Sequence, residues 1–421
     1  MTSTNRRTFL MGAAGLAVST AFAAEEKTVR VAVVGTGGRG SDLLRALTTI
    51  DSAKLVAICD DYPPHLEKAS KYAGPEAKTF DNYTTMLKET SPDAVVIATP
   101  LHLHREMVME ALGRGTAVFC EKTLCRTTAE AKEVVDEVTK RNAIFQIGLQ
   151  RRSNAIYRQA VAMVQTGMLG RISAIKCQWH RNNNWRRPVP VPKADPAWPA
   201  LERKLNWRLY KDYSGGLMTE LGSHQLDVAN WILGTTPKRA FASAGIDYWK
   251  DGRDVFDNIF CVYEYAVAPA AKKGEEPVAP YTVRVTYSSV QNNAYEGASE
   301  LILGTKGSLL LTQKKGLFYK EGGPVDPGWA KLGQEGGDNA AVITSGATLK
   351  IDNDPWAFRG KPYEIDVESD DTRDELLEFV KAVAAGNPKT VADVRTGLQD
   401  CATVLMANES ATSGRWVDYP A

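Results

Sequence analysis

The chain has 421 residues, 51 lysines and arginines against 50 aspartates and glutamates, and an apolar share of 43%. That length makes two domains the natural expectation, and the composition is that of a globular protein with enough apolar side chains for real cores. The near-zero charge excludes partners that require a strong field, such as nucleic acid or an anionic membrane surface.

Residues 1–23 hold two arginines and no acid, so without them 49 basic residues face 50 acidic ones. Asn5-Arg6-Arg7-Thr8-Phe9-Leu10 is a twin-arginine pattern, an apolar run over 10–22 follows, and Ala21-Phe22-Ala23 is an A-x-A cleavage site. The run is too short to stay in a bilayer, and no cysteine follows it to carry a lipid. These residues predict a signal peptide over 1–23 and an exported, periplasmic protein with no membrane segment after cleavage.

Val31-Ala32-Val33-Val34 then reads as a buried strand, and 41–47 as a helix. Between them Gly35, Gly37 and Gly40 stand at G-x-G-x-x-G spacing, with Gly38 and Arg39 inside the turn. Strand, glycine turn and helix in that order are the context of a dinucleotide fingerprint. The first glycine allows the tight turn, the second the approach of a pyrophosphate, and the third close packing of helix on strand. A second strand, 55–59, ends at Asp60, twenty residues after Gly40. A carboxylate there accepts from both ribose hydroxyls of NAD and repels the 2′-phosphate of NADP. NAD is therefore the expected cofactor, with Arg39 the residue that would pair with a phosphate.

Strands and helices go on alternating: strands at 94–98, 117–120 and 144–147, helices at 105–113 and 129–141. This βαβ pattern predicts an α/β Rossmann domain over 28–149, a doubly wound parallel sheet whose chemistry sits at the carboxyl ends of its strands. Those ends carry Thr99-Pro100, Glu121-Lys122 and Gly148. A lysine at the depth of Lys122 faces the nicotinamide if Asp60 faces the ribose. Burial and a nearby cationic ring both lower its pKa toward a value useful in proton transfer. His104, opening the helix after Thr99-Pro100, is expected to position the cofactor.

After residue 150 the pattern changes. A helix at 157–166, a strand at 172–179 and a strong helix at 217–233 precede strands at 239–246, 256–265, 281–290, 299–304 and 307–312. Gly/Pro turns between them suggest an α+β domain over 150–421 with an open, mostly antiparallel sheet. Residues 186–200 are proline-rich and are expected to be a loop without regular structure. Residues 268–280 read as a flexible hairpin excursion and 321–347 as a glycine-rich loop, while helices at 373–385 and 393–412 close the chain. Six scattered cysteines, with no C-x-x-C, read as buried small hydrophobes.

In the helix at 217–233, Glu220, His224 and Asp227 fall at i, i+4 and i+7, which predicts one shared face. A carboxylate beside the imidazole would raise its pKa and suit it to acid–base work on an alcohol–carbonyl pair. The same pattern is also compatible with a metal ligand set, but no second histidine or cysteine is near, and no metal is expected. Arg152, at the start of the second domain, and Asp227 are expected substrate contacts, and the polar aromatic run from His180 and Asn206-Trp207-Arg208 suit sugar hydroxyls.

With these motifs in order, the chain resembles the Gfo/Idh/MocA oxidoreductase family, which includes glucose-fructose oxidoreductase and inositol dehydrogenase. The resemblance rests on 31–40, Ala98-Thr99-Pro100-Leu101-His102-Leu103-His104, Glu121-Lys122-Thr123, and Gly215-Gly216 through His224 and Asp227, within a match over about 28–312. It implies an NAD(P)-binding domain, an open sheet that builds dimers or tetramers, and catalytic roles for Lys122 and His224, with Glu220 where the family often has aspartate. Thr123 replaces the family's usual proline. The resemblance also implies that a sugar hydroxyl loses its proton to His224 or Lys122 while its hydride moves to the nicotinamide. An exported enzyme meets no soluble NAD pool, so its cofactor is expected to stay tightly bound and to be regenerated in each turnover. Twin-arginine export carries folded proteins and suits a chain loaded beforehand. Two chemistries satisfy this: a sugar oxidoreductase, and an NAD-dependent glycosidase that oxidises C3 transiently, eliminates the aglycone and re-reduces.

Overall fold

The computed structural model describes residues 27–268, 279–321, 362–365 and 367–420; the expected signal peptide, most of 268–280 and nearly all of 321–347 lie outside the described residues. Strands β1 (Val29–Val34), β2 (Ala53–Cys59), β3 (Lys78–Phe80), β4 (Ala94–Ile97), β5 (Ala117–Glu121) and β6 (Phe145–Gly148) form a parallel sheet in the order β3-β2-β1-β4-β5-β6. Helices α1 (Gly38–Leu47), α2 (Pro63–Ala73), α3 (Tyr83–Thr90), α4 (His104–Gly113) and α5 (Thr128–Arg141) alternate with these strands. Helices cover both faces, so β4 and β5 are buried along their whole length and read as apolar runs rather than alternating ones. This is the predicted Rossmann arrangement. The strand order reverses between β1 and β4, which opens a crevice at their carboxyl ends. Strand β3 and helices α2 and α3 escape the sequence reading, β3 because three residues show no period. The start of α5 is set by a capping box in which Thr127 Oγ1 accepts from the Glu130 N–H and the Glu130 carboxylate accepts from the Thr127 N–H.

The second half opens with α6 (Ala155–Gln165) and β7 (Ile172–His180). After a loop come α7 (Trp198–Leu205) and then a helix whose first turn, Met218–Gly222, is π-wound before it continues as α8 (Ser223–Leu233). The part of the proline-rich stretch from Trp198 is thus helical, a correction to the expected loop. Pro199 sits in the first turn of α7, where its missing N–H has no intrahelical partner to lose.

Strands β8 (Arg239–Gly245), β9 (Asn258–Val267), β10 (Tyr281–Val290), β11 (Ala298–Gly304), β12 (Gly307–Thr312), β13 (Lys315–Lys320), β14 (Tyr363–Ile365) and β15 (Val417–Asp418) complete a nine-stranded sheet with β7. Its order is β14-β13-β12-β11-β7-β10-β9-β8-β15, antiparallel except for the β7–β10 pair. This is the predicted open, mostly antiparallel sheet.

Two helices at the end of the chain tie the halves together. In α9 (Asp371–Ala384), Leu376, Phe379 and Val380 are fully buried in one core with Val31, Val33 and Phe119. The Phe119 and Phe379 rings meet edge to face at 5.7 Å. Each such side chain contributes about 1.5–3 kcal/mol by leaving water. In α10 (Val394–Ser413), Val394 and Cys401 join the core under β5 and β6, while Val404 and Ala407 join that of the second sheet. A division of the chain at residue 150 therefore misses that α9 covers the first sheet.

Candidate active site

The glycine turn is fixed by backbone sterics. Gly35 has φ +81°, and a Cβ there would lie 2.6 Å from the Ala98 carbonyl carbon. At Gly40 a Cβ would lie 1.7 Å from the Gly35 carbonyl oxygen. Gly37 caps α1 without a side chain, and no acidic residue occupies the first turn. The N–H groups at that terminus thus remain available to an anion, which fits a dinucleotide pyrophosphate.

Asp60, directly after β2, is buried, and its Oδ2 accepts from the Thr36 N–H at 2.7 Å while Oδ1 accepts from the Tyr62 N–H at 2.9 Å. Burial works against its charge, but hydrogen bonds from His65, Tyr62 and Thr36 outweigh burial and hold the carboxyl below the ordinary aspartate value. The carboxylate thus braces the glycine turn as well as facing the expected ribose site. Arg39 departs from the expectation that it pairs with a phosphate. Its guanidinium donates to Glu121 at 2.6 Å, Glu375 at 2.7 Å and the Thr372 hydroxyl at 2.9 Å. Two buried carboxylates on β5 and α9 need that cation, and Glu375, deeply buried near Glu121, has its pKa pushed well up.

A cavity of about 460 Å³ opens at the strand ends between the two halves. The first half contributes Arg39, Ala98, Thr99, Leu101, His104, Glu121 and Lys122 to its wall. The second half contributes Gln150, Trp179, Arg181, Asn183, Trp185, Arg186, Arg187, Trp207, Arg208, Glu220, Leu221 and His224. Another cavity, of about 480 Å³, is lined by neither Lys122 nor His224, so the chemistry does not lie there.

Lys122 follows β5, and the peptide bond to Thr123 is cis. Its Nζ donates to the Glu220 carbonyl at 2.9 Å and the Thr219 carbonyl at 3.3 Å. Burial lowers its pKa, opposed by the Glu220 and Glu121 carboxylates. His224 is 7% exposed, and its Nδ1 is buried without a hydrogen-bond partner. Burial, then the charges of Lys122 and Arg151, push its pKa well below the ordinary histidine value. The expected carboxylate support is absent. The π turn re-spaces the helix, so the Glu220 carboxylate instead accepts from Arg208 Nε at 2.8 Å and Ser214 Oγ at 3.0 Å. Asp227 turns away to a bidentate pair with Arg152, at 2.7 and 2.9 Å.

A family model described as an oxidoreductase family with an NAD-binding Rossmann fold matches residues 29–149. The model of that family's C-terminal alpha/beta domain matches residues 161–419. The chain belongs to the Gfo/Idh/MocA oxidoreductase family.

Among curated relatives, the scyllo-inositol 2-dehydrogenase (NAD(+)) of Bacillus subtilis (strain 168) is 28% identical over 210 residues, 50% of this chain and 55% of the relative. The 2,7-anhydro-N-acetylneuraminate hydratase of Mediterraneibacter gnavus (strain ATCC 29149 / DSM 114966 / JCM 6515 / VPI C7-9) is 26% identical over 219 residues, 52% of this chain and 53% of the relative. These matches span only about half the length of the curated relatives. A solved levoglucosan dehydrogenase, in complex with NADH and levoglucosan, shares the fold with a TM-score of 0.68 at 19% identity, covering 93% of this chain and 100% of the other.

As a Gfo/Idh/MocA protein the chain keeps most of its predicted site together, but not all. Lys122, His224, Glu220, Glu121, Thr99, His104 and Trp207 line the cavity. His104 is a brace, its Nδ1 2.9 Å from the Thr123 carbonyl and its Nε2 3.0 Å from the Thr99 carbonyl. Pro100 lies just before the short turn at Leu101–Leu103 and does not line the wall. Arg152 and Asp227 pair with each other outside the lining, and are corrected as substrate contacts. His180 is corrected too. Its nitrogens meet the Tyr295 carbonyl at 3.1 Å and Ser288 Oγ at 2.9 Å, off the cavity. Strand alternation explains the miss: Trp179 and Arg181 share the face opposite to His180. That parity, counted from the buried Cys177, is the signal that would have found them. Among the described residues no cluster could hold a metal ion, and all six cysteines are free and buried.

Proposed function

We propose that this protein is an NAD-dependent oxidoreductase acting on a CH–OH group of a sugar or polyol. The observation that carries the reading is the pairing in one cavity wall of Lys122, whose Nζ is fixed by two carbonyls, with buried His224, whose Nδ1 has no hydrogen-bond partner. When bound, NAD supplies hydride acceptance at its nicotinamide. Lys122 Nζ accepts the hydroxyl proton: two carbonyls fix it in the cavity wall, and burial lowers its pKa from above toward the working pH. Neutral His224 orients the hydroxyl by a hydrogen bond. Arg208 and Ser214 hold the Glu220 side chain, while the Glu220 carbonyl positions Lys122. Trp179, Trp185 and Trp207 give apolar faces for a ring.

The test is made on unmodified protein purified from its natural compartment. Nucleotide released on denaturation is quantified per chain, and candidate sugars and polyols are then screened for reduction of bound NAD. About one NAD per chain with a responding substrate is expected; NADP would overturn the reading of Asp60, and full activity in Lys122→Ala and His224→Ala would overturn the catalytic one.

A redox-neutral glycosidase is the second reading, favoured by a relative whose name is a hydratase rather than a dehydrogenase. Solvent deuterium at C2 of a released sugar supports it, and a keto product without deuterium rules it out. We further propose twin-arginine export to the periplasm and a homodimer or homotetramer built on the nine-stranded sheet. The exposed Phe241, Phe260 and Trp416 support that interface. Fractionation and light scattering test these two points.

A further inference from the structure

The cavity wall carries more positive charge than its own acids neutralise. Arg39 is held by Glu121 and Glu375, Arg186 by Glu202 and Asp251, and Arg208 by Glu220. Arg181 has no carboxylate partner and no side-chain hydrogen bond among the described residues. It is not a loose surface cation. Its main-chain N–H donates to the Val290 carbonyl at 2.9 Å, directly after β7, so the sheet rather than the proline-rich loop holds it. Its guanidinium carbon lies 4.6 Å from the Trp179 ring centroid, and the same indole is 5.4 Å from the His224 ring. Burial lowers its pKa and the neighbouring Arg208 adds to the effect, while Tyr287 and, at longer range, the Glu220 carboxylate oppose it without forming an ion pair.

A half-buried cation without a counter-ion is costly, and such groups are normally paired. The cofactor phosphates do not supply the partner, because they belong at the start of α1. A different arginine stands there: Arg187, with a nitrogen 3.3 Å from where a Gly38 Cβ would be. Arg181 instead stands by Trp179 and His224, at the reacting end. The oxidised nicotinamide is itself cationic, so a neutral sugar would leave Arg181 and that ring uncompensated. Packing over Trp179 leaves the in-plane N–H edge of the guanidinium free. Two parallel N–H groups match the two oxygens of a carboxylate.

We propose that Arg181 determines substrate specificity and that the substrate is a sugar acid, held through its carboxylate with the reacting hydroxyl at Lys122 and His224. The inference rests on the oxidoreductase reading of this cavity.

The test is calorimetric titration of NAD-loaded, full-length protein with glucuronate, galacturonate and gluconate against glucose, galactose and myo-inositol. At low salt an acid is expected to bind roughly 10- to 100-fold tighter than its neutral counterpart, the range of a charge-assisted hydrogen bond. Arg181→Ala and Arg181→Gln should bring that ratio toward one, and Arg181→Lys should keep part of it, having the charge without the fork. NAD content and melting temperature show that the variants are folded. Equal or tighter binding of neutral sugars overturns this inference and leaves the oxidoreductase reading standing. So does a variant that weakens acids and neutrals by the same factor. Failure of every compound to bind counts against both.

Discussion

The glycine turn after β1 and the Lys122–His224 wall both stand at the carboxyl ends of the first sheet's strands, yet they are built differently. At the turn, geometry is dictated by main chain against main chain: Gly40 against the Gly35 oxygen, Gly35 against Ala98. Its one important side chain, Asp60, is satisfied by two backbone N–H groups. On the Lys122–His224 wall the main chain only positions the lysine. Lys122 rests on two carbonyls, His224 keeps a buried nitrogen unpaired, and Arg181 keeps an unpaired charge. The surface expected to hold the cofactor offers it main-chain N–H groups whose positions backbone sterics fix. A surface that handles protons and a variable substrate is left with polar capacity that only a ligand fills.

That contrast can be broken from either side. The largest effect is expected for Gly40→Ala, since a methyl 1.7 Å from a backbone oxygen forces α1 off β1. It should cost more than about 4 kcal/mol and abolish nucleotide retention, read by thermal unfolding and released NAD. Lys122→Ala should fold normally and retain NAD while kcat falls roughly 10²- to 10⁴-fold; loss of NAD instead would show that the two walls are not separable.

Glu220→Gln sharpens the comparison through pH. The Glu220 carboxylate raises the pKa of Lys122 against the lowering effect of burial. Its removal lowers that pKa further, so the limb on which activity rises with deprotonation of Lys122 should move to lower pH. An unchanged pH–kcat profile would reject Lys122 as the proton acceptor. Asp60→Ala should cost about 1–3 kcal/mol at neutral pH by orphaning the Thr36 N–H. Because the folded-state pKa of Asp60 is depressed, its contribution is complete above the unfolded aspartate pKa and disappears as pH falls through the folded value. Urea titrations of wild type and variant should therefore converge in acid. The smallest effect belongs to the exposed Lys54–Glu76 pair, whose removal should leave both stability and nucleotide content unchanged within error.

Much of this protein is legible before folding is considered. The alternation of strands and helices, the carboxyl-end positions of Asp60 and Lys122, and the glycine constraints are local, written within windows of a few tens of residues. Most antiparallel strands of the second sheet are also local; β13 lay beyond the last strand read, and short pieces such as β14 and β15 exist only because a neighbouring strand pairs with them. What failed were statements about side-chain partners. Helical spacing put Glu220, His224 and Asp227 on one face, but a π turn and the competing cations Arg208 and Arg152 drew the two acids away.

The sequence by itself determined the backbone framework and the class of cofactor, because steric and periodic signals act between near neighbours. Tertiary structure alone decided the electrostatics of the site. Arg39 meets Glu375 across 336 positions, α9 returns to cover the first sheet, and Arg186 and Arg208 find acids while Arg181 does not. Coulomb interactions depend on distance in space and on burial, and neither quantity is carried by distance along the chain.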